Sequence, residues 1–213
     1  MTERTIVHLL RHGEVHNPDG VLYGRLPDFH LSDLGREMAQ RAAESTEGRD
    51  ISVVTASPLD RAQETAEPTA ELHGVPIGTD DDLIEAGNIF EGETVGVGDG
   101  ILKQPKLWRY LYNPFKPSWG EPYEEIAQRM QRAVDRARHQ ARGHEALLVS
   151  HQSPIWILRL ALENRRFVHD PRNRQCSLAS ITSLMYDGDD LSAIVYTEPC
   201  ADLVARSSKG VGA

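Results

Sequence analysis

The sequence predicts an α/β domain of three layers, in which a mostly parallel central sheet lies between helices on both faces. Three short apolar runs are typical of buried strands, at residues 5–10, 51–56 and 146–150. Each run is followed by a segment with helical spacing of its apolar residues. Alternation of strand and helix is typical of parallel sheets. No stretch marks a linker, so residues 1–200 are predicted to form one domain.

Composition and charge exclude several classes of protein. The net charge is −9, whereas nucleic acids are bound by basic surfaces, so nucleic acid is not an expected partner. No apolar run approaches the roughly 20 residues that a membrane helix needs, and residues 1–4 lack the features of a signal peptide. The two cysteines, Cys176 and Cys200, show no metal-ligand spacing and fit a reducing compartment. We therefore expect a cytoplasmic protein without a membrane partner.

The first strand ends in the segment Leu-Arg-His-Gly-Glu, at residues 10–14. A strand that ends on Arg11 and His12 delivers a cation and an imidazole to the carboxyl end of the sheet, where ligands bind in open α/β folds. Residues 16–20 are rich in turn formers, so the chain is predicted to leave the sheet edge in a loop. Ser32 is predicted to cap the helix that follows.

The second strand and its helix form another unit of the same kind. Ser57 is predicted to cap this helix, with Pro58 at the first helical position and Arg61 in the first turn. The helix is expected to continue to about residues 73–74. A helix N-terminus carries free N–H groups and a partial positive charge, so this end favours an anion.

The second half of the chain includes a long segment without a clear pattern. Residues 89–121 are rich in glycine, proline and aromatic side chains and are predicted to be an excursion over the site, with a short helix near 105–112. The other expected elements are helices at 124–142 and 155–162 and a closing pair of strands at 180–186 and 191–197. Residues 201–213 are predicted to be a disordered tail.

Three predicted strands therefore lead into residues that can hold or attack a phosphate. These are Arg11 with His12, Arg61 one turn into its helix, and His151. Because parallel strands present their carboxyl ends at one edge of a sheet, we expect these side chains to lie close together. Arginine guanidiniums match the oxygens of a phosphoryl group, and a histidine beside them can act as the nucleophile. The sequence thus predicts an anion pocket around His12.

Four motifs in this order resemble the histidine phosphatase superfamily, which has the phosphoglycerate-mutase-like fold. They lie at residues 10–14, at 57–66 with the order Ser-Pro-Leu-Asp-Arg-Ala, at 83–85 and at 149–151. The resemblance covers about residues 5 to 200 in order and spacing, although the excursion carries little of it. One such motif is a weak signal, whereas four in the right order are a strong one.

The resemblance implies a role for each of five residues. His12 attacks phosphorus and becomes a phosphohistidine, and Glu85 protonates the leaving oxygen and then deprotonates water. Arg11 and Arg61 hold the phosphoryl oxygens, and His151 is a further donor, expected as the imidazolium. No metal and no cofactor are expected, because these cationic groups neutralise the phosphoryl charge. The implied activity is an acid-type phosphatase acting on small phosphomonoesters.

Four further residues are predicted to bind substrate: Asn17, Tyr23, Gly24 and Gln152. Many relatives have an asparagine six positions after the nucleophilic histidine, whereas Asn17 stands five positions after His12. Gln152 stands where relatives have a glycine, so its side chain is expected to narrow the pocket. Arg25 is either a further anion contact or a surface arginine.

Alternatives stay open at the level of the sequence. Asp82 or Glu91 could supply the proton in place of Glu85. The Glu-Arg-x-Tyr-Gly pattern of cofactor-dependent phosphoglycerate mutases is absent after Glu85, which favours a phosphatase over a mutase. A regulatory module that binds a phosphorylated ligand without turnover is the third alternative. The expected partner is a small phosphorylated substrate, and a homodimer is one option for the assembly.

Overall fold

The computed structural model describes residues 3–93, 120–170 and 173–207, and it confirms the predicted fold class. Its strands are β1 (Arg4–Arg11), β2 (Ile51–Ala56), β3 (Ile77–Thr79), β4 (Glu145–Ser150), β5 (Ile181–Asp187) and β6 (Asp190–Thr197). They form one sheet in the order β3-β2-β4-β1-β5-β6. The pairs β1–β4, β2–β4 and β2–β3 are parallel, whereas β5 pairs antiparallel with β1 and β6.

Helices cover both faces of this sheet. In the described ranges they are α1 (Asp33–Glu44), α2 (Asp60–His73), α3 (Tyr123–Gln140), α4 (Gln152–Leu162) and α5 (Ala201–Val204). Successive residues of a strand point to opposite faces, so Leu10 packs in the core beneath α1 and α2, and Leu9 packs in the core beneath α3 and α4. Two apolar cores, one on each side of the sheet, make the three layers.

The register of the central strands brings the predicted motifs together. Arg11, the last residue of β1, lies beside Ser150, the last residue of β4. The last residue of β2, Ala56, lies beside Val149. The residues that follow these three strand ends therefore meet at one edge of the sheet, as the topology of parallel strands requires.

Two glycines hold the loop after β1 against the start of α1. A Cβ atom on Gly35 would collide with the carbonyl oxygen of Glu14, and one on Gly13 would lie 2.5 Å from the carbonyl oxygen of Gly35. Backbone atoms cannot move aside as a flexible side chain can, so both positions require glycine. Ser32 caps α1 as predicted, accepting from the Gly35 N–H at 3.0 Å, and it donates to the Glu14 carboxylate at 2.6 Å. The start of α1 thus fixes the loop that carries His12.

The structure corrects the prediction at three places in the sheet and its helices. α2 begins at Asp60 with Leu59 as its N-cap, and the predicted cap, Ser57, instead contacts His151. β3 was not predicted, because three residues at a sheet edge are too few to show an alternating pattern. α4 begins at Gln152, with His151 as its N-cap, three residues earlier than expected.

The tail predicted from residue 201 is ordered in its first part. Residues 201–204 form α5, and Leu203 is 2% exposed in the same core as α1. A single turn of helix with one anchoring leucine is too short to be recognised from its pattern. The helix predicted near 105–112 lies outside the described residues, as does most of the 89–121 excursion. None of the helices described is long and apolar enough to cross a membrane.

Candidate active site

His12 follows β1 and is fully buried. Its Nδ1 lies 2.8 Å from the carbonyl oxygen of Gly13, an acceptor, so the ring carries its proton on Nδ1. Burial, assisted by the positive charges of Arg61 and Arg11, lowers the pKa of His12 well below its usual value. Nε2 is therefore unprotonated, and no described residue hydrogen-bonds to it. A neutral imidazole with a free Nε2 lone pair is the form that attacks phosphorus.

The two predicted arginines are buried at the same edge of the sheet. Arg61, only 1% exposed, donates to the carbonyl oxygen of Gly24 at 2.6 Å, and its guanidinium carbon lies 4.7 Å from the ring centroid of Tyr23. Arg11 donates to the carbonyl oxygen of Cys176 at 2.8 Å. The Nε atom of each arginine has no hydrogen-bond partner within the described ranges. Both guanidiniums are therefore held in place with donors left for an anion.

His151 follows β4, and its ring centroid lies 5.1 Å from that of His12. Its Nε2 lies 2.8 Å from Oγ of Ser57, while its buried Nδ1 has no partner among the residues that the structure describes. Burial, followed by the charge of Arg61, lowers the pKa of His151 well below its usual value. This shift favours the neutral ring over the expected imidazolium, because burial opposes a third positive charge beside Arg11 and Arg61.

Ser57 is a site residue that the sequence analysis missed. It is fully buried and follows β2, so it belongs to the same row of strand ends as His12 and His151. Because Ser57 directly precedes Pro58, the sequence pattern predicted that it caps the helix. Its position after a buried strand was the signal that could have found it.

Glu85 lies in the loop after a 3₁₀ turn at Asp81–Leu83 and is 4% exposed. Its Oε1 accepts from the N–H of Ala86 at 2.7 Å, and its buried Oε2 has no partner in the described part of the chain. Burial raises the pKa of Glu85 and outweighs the opposing effects of the Ala86 N–H and the nearby arginines. A carboxyl group with a raised pKa can carry a proton for transfer to a leaving group.

The alternative proton donors have other contacts. Asp82 pairs with Arg132 at 2.7 Å and with Arg136 at 2.6 Å. Burial raises the pKa of Asp82, but hydrogen bonds from the two arginines outweigh this, and the pKa is lowered. Oε1 of Glu91 accepts from the Asn88 N–H at 3.2 Å. The structure therefore favours Glu85, since a lowered pKa makes Asp82 a poor acid.

Arg25 supports Glu85 and is not a free surface arginine. Its Nε donates to the carbonyl oxygen of Glu85 at 2.7 Å, and a terminal nitrogen donates to the Glu121 carboxylate at 2.7 Å. Glu121 also accepts from Arg129 of α3 at 2.8 Å. This network ties the loop that carries Glu85 to the start of α3.

The other predicted substrate residues differ in their placement. Tyr23 and Gly24 contact Arg61, as described above. Asn17 uses its side-chain amide on its own loop, donating to the Val21 carbonyl at 2.8 Å and accepting from the Val21 N–H at 3.0 Å. Its role as a phosphate ligand stays a prediction. Gln152 donates to the carbonyl oxygen of Cys176 at 3.3 Å, the same oxygen that Arg11 contacts.

The five predicted catalytic residues share one property: each has a buried polar atom without a partner in the described chain. These atoms are Nε of Arg11, Nε2 of His12, Nε of Arg61, Oε2 of Glu85 and Nδ1 of His151. A buried polar group without a hydrogen bond costs about 1–3 kcal/mol. Native proteins keep few such groups, and catalytic sites are one of the places where they occur. The arrangement fits a ligand with several polar atoms.

A group with metal-ligand geometry lies beside the start of α2, and the sequence spacing gave no sign of it. Ligand atoms of Asp28, His30 and Asp60 lie within 4.8 Å of one another. His30 also pairs with Glu64 at 2.5 Å, and Asp28 and His30 are exposed. Exposed acidic groups are common without an ion, so no metal is assigned to this group.

Comparison with known proteins gives one family and several similar chains. A family model described as histidine phosphatase superfamily (branch 1) matches residues 7–198. The uncharacterized protein Rv0525 of Mycobacterium tuberculosis (strain ATCC 25618 / H37Rv) is 58% identical over 201 residues, which cover 94% of this chain and 100% of Rv0525. The structure of YhfR from Bacillus stearothermophilus is similar with a TM-score of 0.75 and 26% identity, covering 89% of this chain and 95% of YhfR. The mycobacterial glucosyl-3-phosphoglycerate phosphatase Rv2419c is similar with a TM-score of 0.67 and 25% identity, covering 91% and 96%.

Proposed function

Because the chain belongs to the histidine phosphatase superfamily, we propose that it hydrolyses small phosphomonoesters through a phosphohistidine on His12, without a metal ion. The convergence of five buried polar atoms that have no described protein partner carries this proposal. A phosphomonoester supplies a partner for each kind of atom. Its phosphorus accepts the His12 lone pair, its free oxygens accept from the arginines and His151, and its bridging oxygen accepts the Glu85 proton.

In the first step, Nε2 of His12 attacks phosphorus and the bond from phosphorus to the bridging oxygen breaks. Glu85 transfers its proton to that oxygen, which leaves as the alcohol. Charge spreads over the peripheral phosphoryl oxygens in the transition state, where Arg11 and Arg61 are preorganised donors. Because these donors are fixed by Cys176 and Gly24, they require little reorganisation during the reaction.

In the second step, water attacks the phosphohistidine. The Glu85 carboxylate takes a proton from this water, the bond between phosphorus and Nε2 breaks, and inorganic phosphate leaves. The Glu85 carboxyl is then protonated again, and His12 returns to the neutral form with its proton on Nδ1. The contact with the Gly13 carbonyl keeps that proton in place through both steps.

His151 serves as a neutral donor in this scheme. The N–H of Leu59 points to Oγ of Ser57 at 3.4 Å, so the Ser57 hydroxyl hydrogen is available for Nε2 of His151. A ring that accepts at Nε2 carries its own proton on Nδ1, which then donates to a phosphoryl oxygen. Ser57 thus sets the tautomer of His151.

Two observations favour transfer to water over transfer to a second substrate. The segment after Glu85 lacks the sequence pattern of cofactor-dependent phosphoglycerate mutases. One of the similar structures, Rv2419c, is named a glucosyl-3-phosphoglycerate phosphatase. A binding module without turnover does not need the unprotonated Nε2 that His12 presents.

The purified protein is expected to release phosphate from para-nitrophenyl phosphate, and the rate is expected to be the same with excess EDTA. The reason is that the proposed mechanism assigns neutralisation of the phosphoryl charge to Arg11 and Arg61. Isomerisation of a phosphoglycerate without phosphate release would instead indicate a mutase. Absence of both reactions would indicate a binding protein. Loss of activity in EDTA that a divalent cation restores would contradict metal independence. Asp28, His30 and Asp60 would then be the first residues to test as metal ligands.

A further inference from the structure

The cavity beside Glu85 contains an arginine that the proposed reaction does not use. Arg174 lies in the loop before β5 and lines this cavity together with Glu85, Gly24 and Tyr123. Arg174 lies close enough to Glu85 for its positive charge to lower the pKa of that carboxyl group, against the larger increase that burial causes. No carboxylate lies within ion-pair distance of its guanidinium in the described ranges. A partly buried cation without an anionic partner is unfavourable, so the cavity favours an anion.

A neutral side chain holds this guanidinium in position. Nε of Arg174 donates to Nε2 of His169 at 2.9 Å. Nδ1 of His169 lies 2.6 Å from the carbonyl oxygen of Phe167 and donates to it, so Nε2 is the accepting nitrogen. Burial lowers the pKa of His169, which keeps the ring neutral. Arg174 is therefore oriented without loss of its net positive charge.

A short chain of hydrogen bonds joins Arg174 to the phosphate pocket. Its NH1 contacts Oε1 of Gln152 at 3.4 Å, and Nε2 of Gln152 donates to the carbonyl oxygen of Cys176 at 3.3 Å. Arg11 donates to the same carbonyl at 2.8 Å. One glutamine and one carbonyl thus connect the two guanidiniums. The other terminal nitrogen of Arg174 has no partner among the described residues, which leaves it available to a ligand.

We propose that Arg174 binds a second anionic group of the substrate, a carboxylate or a second phosphate. The proposal rests on the proposed phosphatase function and adds a substrate class: small phosphomonoesters with another anion a few bonds from the ester oxygen. Arg174 and Arg11 then hold the two ends of one molecule, and Glu85, which lines the same cavity as Arg174, faces the bridging oxygen. A guanidinium discriminates well here because it binds carboxylate and phosphate oxygens in bidentate geometry.

The test compares two substrates of the same length, 3-phosphoglycerate and glycerol 3-phosphate, which differ by a carboxylate in place of a hydroxymethyl group. We expect the unaltered protein to prefer the carboxylate substrate in kcat/KM for phosphate release. Arg174→Gln is expected to reduce kcat/KM by about 10- to 100-fold for 3-phosphoglycerate and to change it little for glycerol 3-phosphate. Arg165→Gln is the control, because Arg165 pairs with Glu163 at an exposed position. Propane-1,3-diol bisphosphate and its monophosphate form a second pair, which distinguishes phosphate from carboxylate as the second anion.

Equal losses on both members of each pair would overturn the proposal and would mean that Arg174 acts through Glu85. Absence of any preference in the unaltered protein for the member with the second anionic group would also overturn it. If the unaltered protein releases no phosphate, the proposed function fails, and the subsite is tested by calorimetric measurement of ligand binding to the His12→Ala variant. The double variant His12→Ala/Arg174→Gln should then bind 3-phosphoglycerate or the bisphosphate more weakly than His12→Ala does. Its affinity for glycerol 3-phosphate should be unchanged. Any other pattern of binding would overturn the subsite.

Discussion

Replacing His12 with alanine is expected to lower kcat for phosphate release by about a thousandfold or more, because the change removes the nucleophile itself. The protein is expected to remain folded, since the cores on both faces of the sheet are untouched. The measurement is kcat on para-nitrophenyl phosphate together with the circular dichroism spectrum. His144→Ala is the matched control, because His144 is exposed and lies far from His12 in the sequence. Within the described ranges, its side chain forms a hydrogen bond only with Asp50.

The imidazole of His12 is fully buried, so its removal leaves a cavity that could lower stability on its own. His12→Asn fills more of that space and separates the two effects. Retention of kcat within about tenfold by either folded variant would contradict nucleophilic catalysis by His12.

Replacing Glu85 with glutamine is expected to reduce kcat/KM for alkyl phosphates by about 100- to 10,000-fold, and far less for aryl phosphates. An alkoxide leaving group needs the Glu85 proton, whereas para-nitrophenolate leaves as a stable anion. The measurement compares glycerol 3-phosphate with para-nitrophenyl phosphate. Glu91→Gln is the control, because Glu91 lies nearby and accepts a hydrogen bond from Asn88. Equal losses on the two substrates would mean that Glu85 shapes the pocket without transferring a proton.

The pH dependence of the alkyl reaction follows from the same carboxyl group. The first step needs Glu85 protonated, and burial raises its pKa above the ordinary value for glutamate. Activity is therefore expected below this raised pKa and is lost as the pH rises through it. The first step also needs His12 neutral, and burial lowers the pKa of His12, so the acid limb lies well below the usual value for histidine. Glu85→Gln should remove the alkaline limb of kcat/KM and leave the acid limb.

The predictable part of the site was the part set by topology. Strand ends can be read from apolar runs, and parallel pairing then places Arg11, His12 and His151 at one edge. The register of β1 with β4 confirms this reasoning. The assignment of Glu85 as the proton donor rested on the family resemblance, because the sequence of an acidic segment does not show which carboxyl group is buried.

The parts that the sequence did not predict depend on packing between distant segments. Ser57 was assigned to a local cap, but its hydroxyl contacts His151, which is 94 positions away. The lowered pKa of His151 follows from burial, which no local pattern encodes. Arg174 stands in a loop without a motif, and its place beside Glu85 depends on contacts with His169 and Gln152.

The central claim, a phosphoryl group carried by His12, is tested most directly by trapping the intermediate. Glu85→Gln is the suitable protein, because an aryl phosphate still reacts in the first step while water lacks its base in the second. The variant is mixed with para-nitrophenyl phosphate, denatured in alkali, digested and analysed by mass spectrometry. The mechanism predicts a burst of one nitrophenolate per site and one phosphoryl group on the imidazole of His12. A burst with the phosphoryl group on another residue, or turnover with no phosphorylated peptide, would contradict it.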